Sequence, residues 1–224
     1  MHSKDMMLFL ALEAVCLLAT AHGVSAADAE KPDAVAEYQK LVAQVKQLPE
    51  EELSKFDFAK LRKAFLDTGA SESIGDELEK SFKKALEEGR HEAVIAVAEQ
   101  ILTQDFTDVR THILKASAHK KLGQQKEYTF HMAVSHGLMQ SILNTGDGKS
   151  FETAWHVYQV KEEYALLQFG LGIAMVWEQS LMGAEGRLYD VLEAEGSEGQ
   201  SREFYFDVTD LMMRTHEQIS GKTE

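Results

Sequence analysis

Cysteine occurs once in the 224 residues, as Cys16, and proline twice, as Pro32 and Pro49. One thiol cannot form an intrachain disulfide, and Cys16 sits in an apolar N-terminal segment. Removal of that segment would leave no thiolate metal site and no cysteine nucleophile. Basic residues are scarce relative to acids, 23 Lys and Arg against 37 Asp and Glu, for a formal charge of −14. The few cations are interspersed with acids, which excludes the clustered Lys and Arg that phosphate backbones require. Anionic membrane surfaces are disfavoured for the same reason, and the acidity most simply serves solubility. The apolar run from Met6 to Thr20 is too short for a comfortable transmembrane helix.

That run has the layout of a secretory leader: Lys4 before it, and the small residues Val24-Ser25-Ala26 after it as a cleavage site. Glu13 inside the run and Asp5 beside Lys4 depart from the pattern, and a short retained helix is the alternative. Glu13-Ala14-Val15 fits poorly before a lipidated cysteine. The expected organisation is a leader over 1–26, a linker over 27–33, a helical region over 34–143, a sheet-containing region over 144–219 and a polar tail over 220–224. No integral membrane segment is expected after leader cleavage.

Residues 34–143 read as helices. Tyr38, Leu41, Val42 and Val45 share one helical face. Pro49 precedes three glutamates suited to a helix N-terminus, and Asp57 is placed to cap a helix bearing Phe58, Leu61, Phe65 and Leu66. Leu78, Phe82, Ala85 and Leu86 form the next face, ended by Gly89. Ala93, Val94, Val97, Ile101 and Leu102 follow. After Asp105 and Asp108 come Val109, Ile113, Ala116 and Leu122, ended by Gly123. Gly89 and Gly123 stand 34 residues apart, the period of tetratricopeptide helix pairs. The aromatic and proline positions of that repeat are mostly missing, so one and a half to two degenerate pairs are expected. Gln125 to Leu143 forms a fourth helix.

Gly146-Asp147-Gly148 then supplies a sharp joint. Thr153 to Val160 alternates in the manner of a strand and Lys161 to Phe169 returns to helical spacing. Ile173, Met175, Trp177 and Leu181 share a face of an extended run. Arg187–Ala194 and Arg202–Val208 read as strands of an antiparallel meander, and Thr209–Ile219 as a last helix. The fold class expected is α+β: a tetratricopeptide-like helical half, a small antiparallel sheet and a C-terminal helix. Three site motifs fail on inspection. Gly148-Lys149-Ser150 lacks the upstream glycine and strand of a phosphate loop. The Asp147 turn lacks calcium ligands at Leu143 and Ala154. His91-Glu92 has Ile95 where a zinc protease needs its second histidine.

The chain resembles a family of uncharacterised exported bacterial proteins, the domain of unknown function 4919. The resemblance rests on Asp57-Phe58, Leu61-Arg62, Gly137-Leu138, Ser141-Ile142, Gly146-Asp147-Gly148 and Glu152-Thr153-Ala154. Val157, Val160, Glu162-Glu163-Tyr164, Gln179, Leu181, Tyr189-Asp190-Val191 and Tyr205-Phe206-Asp207 complete it. It implies export, placing the protein in the bacterial periplasm, and implies no reaction. Histidine stands at the position of Glu163 in some members, which implies that a carboxylate there is not indispensable.

Candidate chemistry resides in two groups. His112, His119, His131 and His136 fall on the third and fourth helices. His112 and His119 share a face while His131 and His136 diverge. The ordinary expectation is surface histidines plus one core histidine; convergence of three would be needed for a metal. Asp147, Glu162, Glu163, Asp190 and Asp207 are the acids near the joint and sheet. Paired carboxylates there would serve general acid–base catalysis if one were buried; otherwise Asp147 bonds its own turn, and Asp190 and Asp207 face solvent. The weak catalytic candidates are thus Asp147, Glu163, Asp190, His112 and His131. Tyr158, Tyr164 and Tyr205 are candidates for touching a ligand or partner. No cofactor and no resident metal are expected. The preferred function is an exported non-catalytic interaction or ligand-binding protein with a protein or peptide partner. A hydrolase or lyase using the joint acids and helix histidines is one alternative, and a metal-binding protein is another.

Overall fold

The computed structural model describes residues 32–70, 73–173, 175–195 and 200–220. The leader, Cys16 and most of the linker and tail lie outside these residues. Seven helices come first: α1 (Pro32–Gln47), α2 (Glu50–Leu53), α3 (Phe58–Thr68), α4 (Asp76–Glu87), α5 (His91–Gln104), α6 (Val109–Lys121) and α7 (Gln125–Leu143). Their boundaries follow local chemistry. Asp57 accepts from the Lys60 N–H at 2.9 Å and Asp108 from the Thr111 N–H at 2.8 Å, so each caps the helix it precedes. Successive helices α4 to α7 pack side by side, and α1 lies on α3. Phe82, Ala85, Val94, Ala98 and Ile101 fill the space between α4 and α5. Tyr38, Leu61, Phe65, Leu102, Val134 and Leu138 build the core beneath α1, α3 and α7. No described helix is long and apolar enough to cross a membrane.

After the joint come a 3-10 turn (Phe151–Thr153), β1 (Trp155–His156) and α8 (Val160–Ala165). The last runs on into a π-turn (Leu166–Gly170). Then β2 (Val176–Ala184), β3 (Arg187–Glu195) and β4 (Ser201–Asp207) form the meander, and α9 (Thr209–Ser220) closes the described chain. The sheet order is β1-β4-β3-β2. The class is α+β, as expected, with one correction. The sheet is mixed, because β1 runs parallel to β4 through Trp155↔Phe206 and His156↔Asp207.

The strand expected over Thr153–Val160 shrinks to those two residues. The Thr153 carbonyl is taken by the Asp147 and Gly148 N–H groups at 2.9 and 2.8 Å, which winds the chain into a turn before β1. The long run expected from Ile173 starts as a strand only at Val176, with a bulge between Val176 and Glu178. Ile173 drops into the core instead, with Trp155, Val157, Leu166, Leu192, Phe204 and Phe206.

The glycine joint is held from several sides. Tyr205 N–H donates to the Gly148 carbonyl at 3.0 Å, and Trp155 Nε1 donates to the Gly146 carbonyl at 3.0 Å. Gly148 has φ +65°, and a Cβ there would lie 2.3 Å from the Trp155 ring. A side chain at Gly148 therefore meets both backbone strain and overpacking. Gly123 has φ +73° with open space around it. Gly148→Ala is expected to lose more than the ~1–2 kcal/mol that left-handed geometry alone costs at Gly123→Ala. Urea unfolding of both variants checks this, and equal losses would contradict the packing role of the joint.

Candidate functional site

The short helix α8 opens with Lys161-Glu162-Glu163, three successive charges, and each goes to a different buried place. Lys161 Nζ lies 2.5 Å from Asp105 Oδ2 and 3.3 Å from Asp108 Oδ2, at the α5–α6 corner. Gln159 Nε2 donates to Asp105 at 3.0 Å, and Phe106 N–H donates to Tyr38 Oη at 2.8 Å beside it. Burial opposes ionisation of Asp108, but Lys161 and the Thr111 N–H outweigh it and hold its carboxyl below the usual range.

Glu162 accepts from Arg62 Nε at 2.7 Å, from Arg62 Nη2 at 2.8 Å and from the Tyr158 N–H at 2.8 Å. Arg62 also donates to the His156 carbonyl at 2.9 Å and to Ser141 Oγ at 3.2 Å. The guanidinium is 1% exposed and Glu162 2%, so the pair is desolvated and almost fully hydrogen-bonded. The Tyr158 ring lies against the guanidinium at 5.1 Å.

Glu163 points the other way, into the sheet. It is fully buried beside Asp190, itself 4% exposed. Gln179 Nε2 donates to Asp190 Oδ2 at 2.8 Å, and Tyr164 Oη donates to Gln179 Oε1 at 2.6 Å. Burial raises the Asp190 carboxyl pKa, although Gln179 and Glu163 partly offset the shift. Burial, with the Glu163 and Asp190 charges, pushes Tyr164 up to about 12. The expectation that Asp190 and Asp207 face solvent is corrected: both are buried at 4%. β3 and β4 lie in the interior of the sheet, where Asp207 accepts from Thr209 N–H and Oγ1 and pairs with Arg187.

The histidines form a separate cluster between α6 and α7. His112 Nε2 lies 2.9 Å from the Phe106 carbonyl, so Nε2 carries a proton. Neutral His112 then presents a bare Nδ1, and His131 Nδ1 donates to it at 2.9 Å. His119 stacks on His131 with ring centroids 5.6 Å apart and bonds Gln124 Oε1 at 2.6 Å. Three of these histidines are buried rather than the one expected; only His136 is exposed. Helical spacing misled here, because the polar rings face one another instead of solvent. Among the described residues no group of three or more His, Cys, Asp or Glu could hold a metal ion.

The candidate residues thus occupy three neighbourhoods, each with its own partners. Asp147 is exposed at the joint and bonds Lys149 at 2.6 Å, which with Thr153 holds its carboxyl down at about 2. Glu163 and Asp190 meet under the sheet, and His112 meets His131 between helices. Two open depressions, of about 330 and 740 Å³, are lined by none of the five. Tyr158, Tyr164 and Tyr205 are each half-buried; Tyr205 donates to Glu203 and packs on Phe151. Sequence reading missed the half-exposed pair His156–Asp210, 3.3 Å apart beside Tyr158, and the Arg62–Glu162 pair. Arg62 on a helix otherwise rich in buried apolar positions was the available signal for the second.

A family model, Domain of unknown function (DUF4919), matches residues 34–217. The chain belongs to this family. No curated protein and no solved structure matches it. Many of the residues that carry the family resemblance are the ones tied into the networks above: Asp57, Arg62, Ser141, Glu162, Glu163, Tyr164, Gln179, Asp190 and Asp207.

Burial pushes His112 down to about 4 and His131 down to about 2, the latter with repulsion from its neighbours. Unfolded histidine titrates near ~6.5. Their depressed pKa values mean this stability is complete above that pH and falls as pH drops toward 4. Each histidine contributes a slope of up to ~1.4 kcal/mol per pH unit within that window. Urea unfolding from pH 7.5 to 4.5 is expected to show this slope, and His112→Leu with His131→Leu to flatten it. An unchanged slope in the double variant would contradict the assignment.

Proposed function

We propose that this DUF4919 protein is an exported, non-catalytic binding protein that acts on a protein or peptide partner. One observation carries the reading. The large hydrophobic residues exposed in the described chain concentrate between residues 171 and 182: Leu171, Met175, Trp177, Leu181 and Met182. Trp177 is 47% exposed and Leu181 56%. Large apolar side chains left exposed together along one short segment mark interaction sites, because they cost solubility when left open. The chemistry-bearing side chains support the same reading from the other direction. Buried His112 and His131 bond each other, and the buried acids Asp105, Glu162, Asp190 and Asp207 are taken up by lysine, arginine, glutamine and threonine side chains, so their positions relate to packing. Export rests on the leader-like N-terminus and on the family resemblance.

The test is capture by the tagged full-length chain, expressed in its native host and cross-linked in intact cells. The wild type is expected to enrich a defined partner. Trp177→Ser with Leu181→Ser is expected to lose that partner while its thermal melt stays within a few degrees of wild type. Identical recovery by both proteins, or recovery by neither, would count against the proposal.

A further inference from the structure

Among the described residues, strand β2 lies at an edge of the sheet, hydrogen-bonded to β3 on one side. An open edge presents a row of N–H and C=O groups able to pair with another chain. Natural edges are commonly blunted by lysine, by proline or by brevity. β2 spans 9 residues and contains neither lysine nor proline; its bulge sits at the Val176 end, leaving Glu178 to Ala184 in unbroken register. Cross-strand register assigns its faces. Leu181 pairs with Asp190 and so lies on the side of the helical core, while Met182 pairs with Tyr189 and lies on the outer side. Both are exposed, on opposite sides of the same open edge.

Charge adds a second feature. Glu178 pairs with Glu193, and Glu193 pairs with Glu203. Three carboxylates stand directly opposite one another across β2, β3 and β4, an arrangement that disfavours itself through like-charge repulsion. The row runs toward the open edge and ends there at Glu178. A fifth strand laid against β2 would place one side chain next in that row, and a cation is the group that relieves it. A second copy of this chain would bring the same three acids and another net charge of −14, so charge disfavours self-pairing.

We infer that the β2 edge accepts an extended segment of another polypeptide as an added strand, with basic side chains on the face of Glu178 and apolar side chains covering Leu181 on the other. The inference rests on the binding reading above and specifies its partner. Backbone pairing supplies affinity, alternate side chains supply selection, and the acid row sets the preferred charge.

The probes are fluorescent eight-residue peptides of alternating lysine and valine, the same with glutamate for lysine, and a backbone N-methylated lysine version. Fluorescence anisotropy with the full chain is expected to show binding of the lysine peptide and at least tenfold weaker binding of the other two. Raising salt from 50 to 300 mM is expected to weaken the lysine peptide severalfold. Glu178→Lys is expected to reverse the preference toward the glutamate peptide. Protection from hydrogen exchange is expected on residues 176–184. Equal binding of the lysine and N-methylated peptides, no binding by any peptide, or a salt-stable dimer that excludes the peptides would each overturn the inference. If the peptides fail while cellular capture remains sensitive to Trp177 and Leu181, the binding function stands and only the added-strand mode falls.

Discussion

A carboxylate and a guanidinium, both removed from water, hold the two halves of this molecule in one arrangement. Arg62 comes from α3 and Glu162 from α8, a hundred positions later, and the same guanidinium reaches Ser141 on α7 and the β1 backbone at His156. Burying two charges costs several kcal/mol for each ion, and their attraction offsets this only where geometry and further hydrogen bonds are nearly complete. Here they are. Misalignment would strand a bare charge in the core, so the pair tolerates little displacement of α8. On either side of Glu162, Lys161 reaches the α5–α6 corner and Glu163 reaches the sheet. A helix too short to be stable by itself is thereby positioned by three charges with three destinations.

This arrangement divides the protein into a polar-stapled interior and an open rim. Groups able to titrate or attack are consumed inside: histidine against histidine, carboxyl against carboxyl, lysine against the aspartates of a helix corner. The rim carries the opposite character. β2 is anchored on one flank by β3 and by the Tyr164–Gln179–Asp190 chain, and among the described residues no strand pairs with its other flank, where Leu181 and Met182 are exposed. A rigidly backed strand with an open flank lowers the ordering cost for a pairing partner.

Local patterns made much of the fold legible. The faces of Leu41 and Val45, of Phe82 and Ala85, and of Leu138 and Ile142 are buried as helical spacing requires. Asp57 and Asp108 cap where a short acid before an apolar period should, and α7 spans Gln125–Leu143 as read. What escaped were properties set by distant partners. The parallel pairing of β1 with β4 spans about fifty residues and leaves only two residues of strand, too few for alternation to register. The burial of Arg62, Glu162, Glu163 and Asp190 is invisible to hydrophobic periodicity, because each looks like a solvated charge until its partner is known. His112 and His131 were read one helix at a time, whereas their contact lies between helices. Ile173, Met175, Trp177 and Leu181 read as one face of an extended run, but Ile173 is buried, Met175 precedes β2 and a bulge at Trp177 breaks the alternation before Leu181.

The most direct measurement is a double-mutant cycle on the central pair: Arg62→Met, Glu162→Leu and both together, each unfolded in urea. Removing one partner leaves the other charged and buried, so each single variant is predicted to lose ~3–5 kcal/mol, while the apolar double variant recovers most of that loss. Small, additive losses of ~1 kcal/mol or less, the size expected of a surface ion pair, would contradict the claim that this contact sets how the two halves meet.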